Sequence, residues 1–191
     1  MQRLFLDMDN VITDYSYSAC EWFNKELGRP KYKGEYPVDL MPENIKDYSM
    51  WKNYYLPKNI GKPLQEQMFE DSEFWRTMDP ITGSLNYIRK LNSKYEVYIA
   101  TAAKYNDVCV QEKVDWIKKH LPFIHEERLV FSMNKSILYG DILVDDFWKY
   151  LLQFEGRCVL FLQPYNESRF DQFGYAVSGW RELWELLNGT F

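Results

Sequence analysis

The sequence predicts an α/β fold, a parallel sheet flanked by helices, with a small and mainly helical segment inserted after the first strand. Short apolar runs alternate with helix-like segments from residue 80 onward, the pattern of strand–helix–strand units. A similar apolar run opens the chain and ends at Asp7, but residues 15–79 separate it from the others. We therefore expect an α/β core of residues 1–14 and 80–191 and a helical cap of residues 15–79.

Local patterns define the elements of this fold. Apolar spacing and flanking breakers such as Gly28 and Pro30 predict helices over residues 17–27, 83–92, 108–120 and 180–187. Shorter helices are expected near residues 49–55 and 64–69. Apolar runs predict strands after the first one over residues 96–100, 129–131, 142–144 and 158–162. The helix over 108–120 is expected to bury Val110, Val114 and Ile117.

Composition limits the class of protein. A length of 191 residues suits one core plus an insertion, and a net charge of −5 argues against binding a nucleic acid polymer through a basic face. The three cysteines are widely spaced and form neither a disulfide framework nor a zinc motif. No apolar run is long enough for a membrane span, and Asp7 interrupts the first one, so we expect no signal peptide and a cytoplasmic protein.

Polar residues that could take part in catalysis or bind a ligand lie at or beside the predicted strand ends. They are Asp7 with Asp9, Thr101, Lys135, and Asp145 with Asp146. Alone, each has an ordinary structural explanation, since acidic pairs and threonines cap helices or form turns and lysines usually lie in solvent. If the strands are neighbours in the sheet, however, their ends would bring Asp7, Asp9 and one of Asp145 and Asp146 around one cation. Oxygen-only ligands favour Mg²⁺.

This ordered set resembles the four motifs of the haloacid dehalogenase (HAD) superfamily. Further segments resemble the 5'(3')-deoxyribonucleotidases, in particular the bacterial members: residues 7–15, 74–83, 98–103, 113–121 and 141–146. The similarity is poor across residues 29–63. The resemblance implies a Rossmann-like core and a phosphatase that hydrolyses ribo- or deoxyribonucleoside monophosphates, with the deoxy substrates favoured.

The resemblance also implies roles for individual residues. Asp7 would attack the phosphorus and form an aspartyl-phosphate, and Asp9 would act as general acid and then general base. Lys135 would offset negative charge, and Thr101 would hydrogen-bond a phosphate oxygen.

The implied Mg²⁺ ligands are Asp7, the backbone carbonyl of Asp9, and the later acidic pair. Within that pair, Asp146 is favoured as the direct ligand, with Asp145 close behind it. A dianionic phosphate needs such a cation and a lysine to approach several carboxylates.

Aromatic residues are the candidates for binding the nucleoside. Tyr15, Phe74 and Trp75 match family positions near the substrate and would stack on a base, although the same rings could simply pack the cap on the core. Lys104 could add a charge for the phosphate, or lie in solvent. Where many relatives carry glycine, this chain has Asn10, which tolerates a positive φ. Ala102 replaces a serine of the animal enzymes.

Alternative functions remain open at this point. The chain could be a phosphatase for another small metabolite, such as a sugar phosphate. It could be a receiver-like module that accepts phosphate on aspartate, although the spacing of Asp7 and Asp9 disfavours this. It could also be a silent relative that only binds, although hydrolytically inactive relatives commonly lack the second acid. A homodimer is a common default for small enzymes.

Overall fold

The computed structural model describes residues 1–103 and 107–189; Lys104 lies outside them. Within these ranges six strands form one sheet: β1 Arg3–Leu6, β2 Glu96–Thr101, β3 Leu129–Phe131, β4 Ile142–Asp145, β5 Arg157–Phe161 and β6 Ala176–Val177. Their order across the sheet is β3-β2-β1-β4-β5-β6, and all neighbours are parallel. The predicted α/β class is confirmed.

Eight α-helices accompany the sheet in the described part of the chain. They are α1 Tyr15–Leu27, α2 Met50–Asn53, α3 Lys58–Phe69, α4 Ser72–Arg76, α5 Ser84–Leu91, α6 Asp107–His120, α7 Trp148–Leu151 and α8 Trp180–Gly189. None of the helices described is long and apolar enough to cross a membrane.

The central strand β1 sits where the strand order reverses. Successive strands β1, β2 and β3 extend to one side, whereas β4, β5 and β6 extend to the other. Leu6 pairs with Ile99 on one side and Val144 on the other, and the Asp7 N–H donates to the Val144 carbonyl at 2.9 Å. Ligands of open α/β sheets bind in the crevice at such a reversal, beyond the carboxyl ends of the strands.

Residues 15–79, hereafter the insertion, contain α1 to α4 and no strand among the residues the structure describes. The chain enters and leaves it side by side, because Asp14 N–H donates to the Asp79 carbonyl and Ile81 N–H to the Ile12 carbonyl, both at 2.8 Å. Gly61 lets α3 approach α2 closely, since a Cβ there would lie 2.6 Å from the Trp51 ring.

Some details of the sequence prediction are wrong. The buried face of α6 consists of Cys109, Lys113, Trp116 and Ile117, so Val110 and Val114 lie beside it rather than at its centre. The start of α3 is missed because its glycine and Pro63 lie inside the helix. The patterns also miss α4, α7 and β6, which are too short, at five, four and two residues, to show a period.

Candidate active site

Lys135 connects two acids at the carboxyl ends of the neighbouring strands β1 and β4. Its Nζ donates to Asp7 Oδ1 at 2.6 Å and also to Asp145 Oδ2, and its side chain is fully buried. Burial alone would lower the pKa of Lys135, but the charges of Asp145 and Asp7 outweigh this and raise it. The lysine therefore stays charged between the two carboxylates instead of lying in solvent.

Three buried carboxylates converge beside this lysine. One oxygen each from Asp7, Asp145 and Asp146 lies within 4.8 Å of the others. Burial raises the pKa of Asp145 to about 7, against the opposing charge of Lys135. Burial and the neighbouring Asp145 charge raise the pKa of Asp146 well above its usual range. Neighbouring carboxylates repel one another when all of them are ionised, and a divalent cation offsets this repulsion. The cluster therefore fits a divalent cation.

The two adjacent acids differ in how their oxygens are occupied. Asp145 Oδ1 accepts the Phe147 N–H at 2.8 Å while its Oδ2 accepts from Lys135. Asp146 Oδ2 accepts from the Tyr165 hydroxyl, and Asp146 also lines the cavity described below. Asp146 is thus the member of the pair that faces the cavity.

Asp9 is held by a second buried lysine, which projects from α6. Lys113 Nζ donates to Asp9 Oδ2 at 2.6 Å, to Thr101 Oγ1 at 2.8 Å and to the Ala102 carbonyl at 3.1 Å. Asp9 Oδ1 is buried and accepts no hydrogen bond from the residues described. Burial raises the pKa of the Asp9 carboxyl, and Lys113 only partly opposes the shift. A buried carboxyl of raised pKa with one unused oxygen can exchange a proton with a ligand.

Lys113 is a site residue that sequence reasoning missed. It lay within a segment that resembled the family, but no role was given to it. The available signal was its position: it lies four residues after Cys109 and four before Ile117, at the centre of the buried stripe of α6. A lysine on such a stripe needs a buried acid as partner, and Asp9 is 104 residues away in sequence.

Asn10 shapes the loop between β1 and α1. Its φ is 58°, a positive value that asparagine tolerates better than most other residues. Asn10 Oδ1 accepts the Ser16 N–H at 2.8 Å, and its Nδ2 donates to the Tyr165 hydroxyl at 2.8 Å. The side chain thereby connects the start of α1 with the tyrosine that holds Asp146.

A cavity of about 120 Å³ borders both Asp9 and Asp146. Its lining residues are Asp9, Asn10, Tyr15, Tyr48, Gln65, Phe69, Trp75, Ala102, Cys109, Met133, Asp146 and Tyr150. Two of the predicted aromatic residues, Tyr15 and Trp75, are among them. Phe74 is not, because its ring packs edge-on against Tyr15 with centroids 5.6 Å apart and lines a different cavity.

Residues of the insertion complete the wall of this cavity. Phe69 stacks on Trp75 with centroids 5.9 Å apart, and Tyr48 stacks on Phe147 at 4.2 Å. Gln65 lies one helical turn before Phe69 on α3. Neither Tyr48, Gln65 nor Phe69 was a candidate from the sequence. All three lie in or beside the region of poor similarity, and the short helix predicted near residues 64–69 gives no reason to place its side chains in a site.

Comparison with known proteins identifies the family to which the chain belongs. Residues 1–189 match the model of the family described as 5' nucleotidase, deoxy (pyrimidine), cytosolic type C protein. A 5'(3')-deoxyribonucleotidase of Bacillus subtilis is 31% identical and covers 93% of this chain and 94% of its own length. Another from Clostridium acetobutylicum is also 31% identical, over 86% of this chain and 84% of its own.

Solved structures share the fold at lower identity. A haloacid dehalogenase-like hydrolase from Streptococcus pneumoniae superposes with a TM-score of 0.67 at 14% identity, covering 98% of both chains. A protein described as a HAD hydrolase of Bacillus subtilis, bound to magnesium, gives a TM-score of 0.59 at 14% identity, covering 98% of both chains. These two comparisons show the fold alone.

Proposed function

Since this chain belongs to the family of the 5' nucleotidase, deoxy (pyrimidine), cytosolic type C proteins, we propose that it hydrolyses deoxyribonucleoside monophosphates to nucleoside and phosphate. The observation that supports this most is the composition of one cavity. Asp9 and Asp146 line it together with Tyr15 and Trp75. Acids suited to phosphoryl transfer and rings suited to stacking on a base therefore share one space.

In the proposed first step, Asp7 is the nucleophile. A carboxylate oxygen of Asp7 forms a bond to phosphorus while the ester P–O bond breaks, which gives an aspartyl-phosphate. Lys135, 2.6 Å from Asp7 Oδ1, holds the carboxylate in place and offsets negative charge as the phosphate approaches.

Asp9 exchanges the protons in this proposal. The raised pKa of its carboxyl, caused by burial, suits donation of a proton to the leaving sugar oxygen. The resulting carboxylate then takes a proton from the water that hydrolyses the aspartyl-phosphate. Lys113 orients Asp9 and the Thr101 hydroxyl at the same time, which leaves that hydroxyl oriented to contact a phosphate oxygen.

We also propose that Asp7 and Asp146 hold Mg²⁺, with Asp145 behind them and the Asp9 carbonyl as a further ligand. The donor set fits, because it contains only hard oxygen atoms and its three carboxylates, from Asp7, Asp145 and Asp146, lie close together. If all are ionised, four acids facing two buried lysines leave an excess of negative charge that a divalent ion offsets. When bound, Mg²⁺ supplies positive charge that polarises the phosphoryl oxygens.

The insertion acts as a cap in this proposal. Together with the core of residues 1–14 and 80–191, it encloses the substrate, and Tyr48 and Phe69 extend from it into the cavity wall. Exclusion of water from the site would strengthen the electrostatic contacts around the phosphate.

A phosphate-release assay over a substrate panel tests the proposed function. With Mg²⁺ present, kcat/KM is expected to be highest for deoxyribonucleoside monophosphates, lower for ribonucleoside monophosphates, and lower still for sugar phosphates and amino-acid phosphates. A preference for a non-nucleotide ester would overturn the nucleotide proposal and favour the metabolite phosphatase. Absence of all ester hydrolysis, with phosphate retained on an aspartate, would favour the receiver-like module.

A further inference from the structure

Gln65 presents an amide oxygen that accepts no hydrogen bond within the described part of the chain. This atom, Oε1, is buried. Gln65 also lines the cavity that Asp9 and Asp146 border. Burial of a carbonyl oxygen without a hydrogen-bond donor costs free energy, so such an atom is usually paired with a donor from the protein, water or a ligand. The cavity is where a ligand can supply that partner.

The position of Gln65 is fixed by the packing of its helix. Leu64 and Met68 bury one face of α3, and Gly61 permits close approach to Trp51 of α2. Gln65 stands one turn before Phe69, so the two side chains lie on the same face of the helix. Both side chains line the cavity, and the amide oxygen is buried there rather than exposed to solvent.

The surroundings of the amide suit a flat, polar-edged ligand. Phe69 stacks on Trp75 with their planes 21° apart, and Tyr15 lies against Trp75 with planes 35° apart. All three rings line the cavity together with Gln65. These rings can pack against the faces of a heteroaromatic ring. The polar edge of that ring then requires a separate hydrogen-bonding group.

A carboxamide is chemically matched to that edge. It offers an acceptor, Oε1, next to a donor, Nε2. The pairing edges of nucleobases likewise present a donor next to an acceptor, as in N3–H and a carbonyl of uracil. Amide side chains form such two-bond contacts with bases elsewhere in proteins.

We propose that Gln65 reads the pairing edge of the nucleobase and so makes the enzyme prefer nucleotides over base-free sugar phosphates. This inference rests on the proposed nucleotidase function and assigns a base-specificity role to a residue of the insertion. The acids and lysines of the core bind the phosphate whatever the leaving group is. Selection for a nucleoside must then come from the wall that contains Gln65.

Two substrates separate the base contact from the phosphate chemistry. Deoxyuridine 5'-monophosphate carries the base, whereas 2-deoxyribose 5-phosphate has the same sugar and phosphate without it. The measured quantity is the ratio of kcat/KM for the first substrate to kcat/KM for the second. In Gln65→Met, which keeps the length and loses the amide, the ratio is expected to fall by at least about tenfold.

Gln67→Met is the matched control on the same helix. Gln67 is exposed and lies outside the cavity lining, so the ratio should stay at the wild-type value. Gln65→Glu keeps the shape and the acceptor but loses the amide donor, and it should also lower the ratio. Thermal unfolding of all variants separates a loss of fold from a loss of contact.

Each outcome has a distinct meaning. A wild-type ratio in Gln65→Met overturns the role of Gln65, and so does a fall of equal size in Gln67→Met. Equal hydrolysis of both substrates by the wild-type enzyme overturns base recognition altogether. If the wild-type enzyme hydrolyses no nucleoside monophosphate, the proposed function itself fails, whatever the variants do.

Discussion

The strand-end acids (Asp7, Asp9, Asp145 and Asp146) and the insertion side of the cavity differ in what holds them. The acids lie at the carboxyl ends of buried strands. Lys135 holds Asp7 and Asp145 and Lys113 holds Asp9, and both lysines are 0% exposed. The insertion side is held by ring contacts, and Tyr48, which stacks on Phe147, is 49% exposed.

Under the proposed function, this difference corresponds to two tasks within one site. Buried ion pairs give a rigid geometry that suits a reaction common to every phosphate ester. Ring contacts near the surface tolerate exchange of side chains, which suits recognition of the part that varies between substrates. Changes among the strand-end acids should therefore affect all substrates alike, and changes on the insertion side should alter the preference between them.

The largest effect is expected from Asp7→Asn. Because an amide cannot form the aspartyl-phosphate, turnover should fall by at least about 10³-fold for every substrate, as expected for loss of a nucleophile. Lys135 keeps Asp145 as a partner, so the fold should survive, which circular dichroism and thermal unfolding can check. Asp171→Asn, at an exposed position of the core, is the matched control. Near-wild-type turnover in Asp7→Asn would contradict the nucleophile assignment.

Removal of the metal should also affect all substrates. EDTA is expected to abolish phosphate release, and Mg²⁺ to restore it, because excess negative charge among the acids otherwise opposes the phosphate. Independently of activity, Mg²⁺ should raise the thermal unfolding temperature of the wild-type protein, since an ion that binds only the folded state stabilises it.

The same measurement of Mg²⁺-dependent unfolding temperature tests which carboxylate binds the ion. Asp146→Asn should lose most of the Mg²⁺-dependent rise in unfolding temperature, because Asp146 faces the cavity. Full activity in chelator, or an equal rise in Asp146→Asn, would rule out the proposed metal site.

Asp9→Asn should slow turnover by about 10²–10⁴-fold, the usual contribution of general acid–base catalysis. The reason is that an amide neither donates a proton to the leaving oxygen nor accepts one from water. Steady-state kinetics on two substrates should show the same loss for both. A change under about tenfold would count against this role.

A smaller and selective effect is expected on the insertion side. Tyr48→Leu removes a ring that lines the cavity, and stacking on a base contributes about 1–3 kcal/mol. The ratio of kcat/KM for deoxyuridine 5'-monophosphate to that for 2-deoxyribose 5-phosphate should therefore fall by roughly 5–150-fold.

Tyr55→Leu is the control for this ring. Tyr55 belongs to the insertion, is 86% exposed and does not line the cavity, so the ratio should keep its wild-type value. Equal losses for both substrates in Tyr48→Leu would break the division of tasks between the two sides.

The two sides also differ in how far the sequence predicts them. The acids were found because each follows a short apolar strand, and parallel strands bring their carboxyl ends to one edge of the sheet. The family resemblance then assigned Lys135 and Thr101, and the structure places both beside these acids.

The insertion side depends on contacts that no local pattern encodes. Phe23 stacks on Tyr54 at 5.2 Å, and the Tyr54 hydroxyl donates to Asn24 Oδ1 at 2.8 Å. Such packing joins α1 to the end of α2, and a helix pattern in either segment does not reveal which residues of the insertion come together. Gln65 was missed because the helix predicted near residues 64–69 does not show which of its faces meets the core. Lys113 was missed because a lysine in a helix usually faces solvent, and its acid partner is distant in sequence.

Trapping the covalent intermediate tests the central role of Asp7 most directly. A single turnover of phosphorus-labelled deoxyuridine 5'-monophosphate, quenched in acid and digested, should leave the label on the peptide that contains Asp7. Label on a peptide from any other part of the chain would contradict the account.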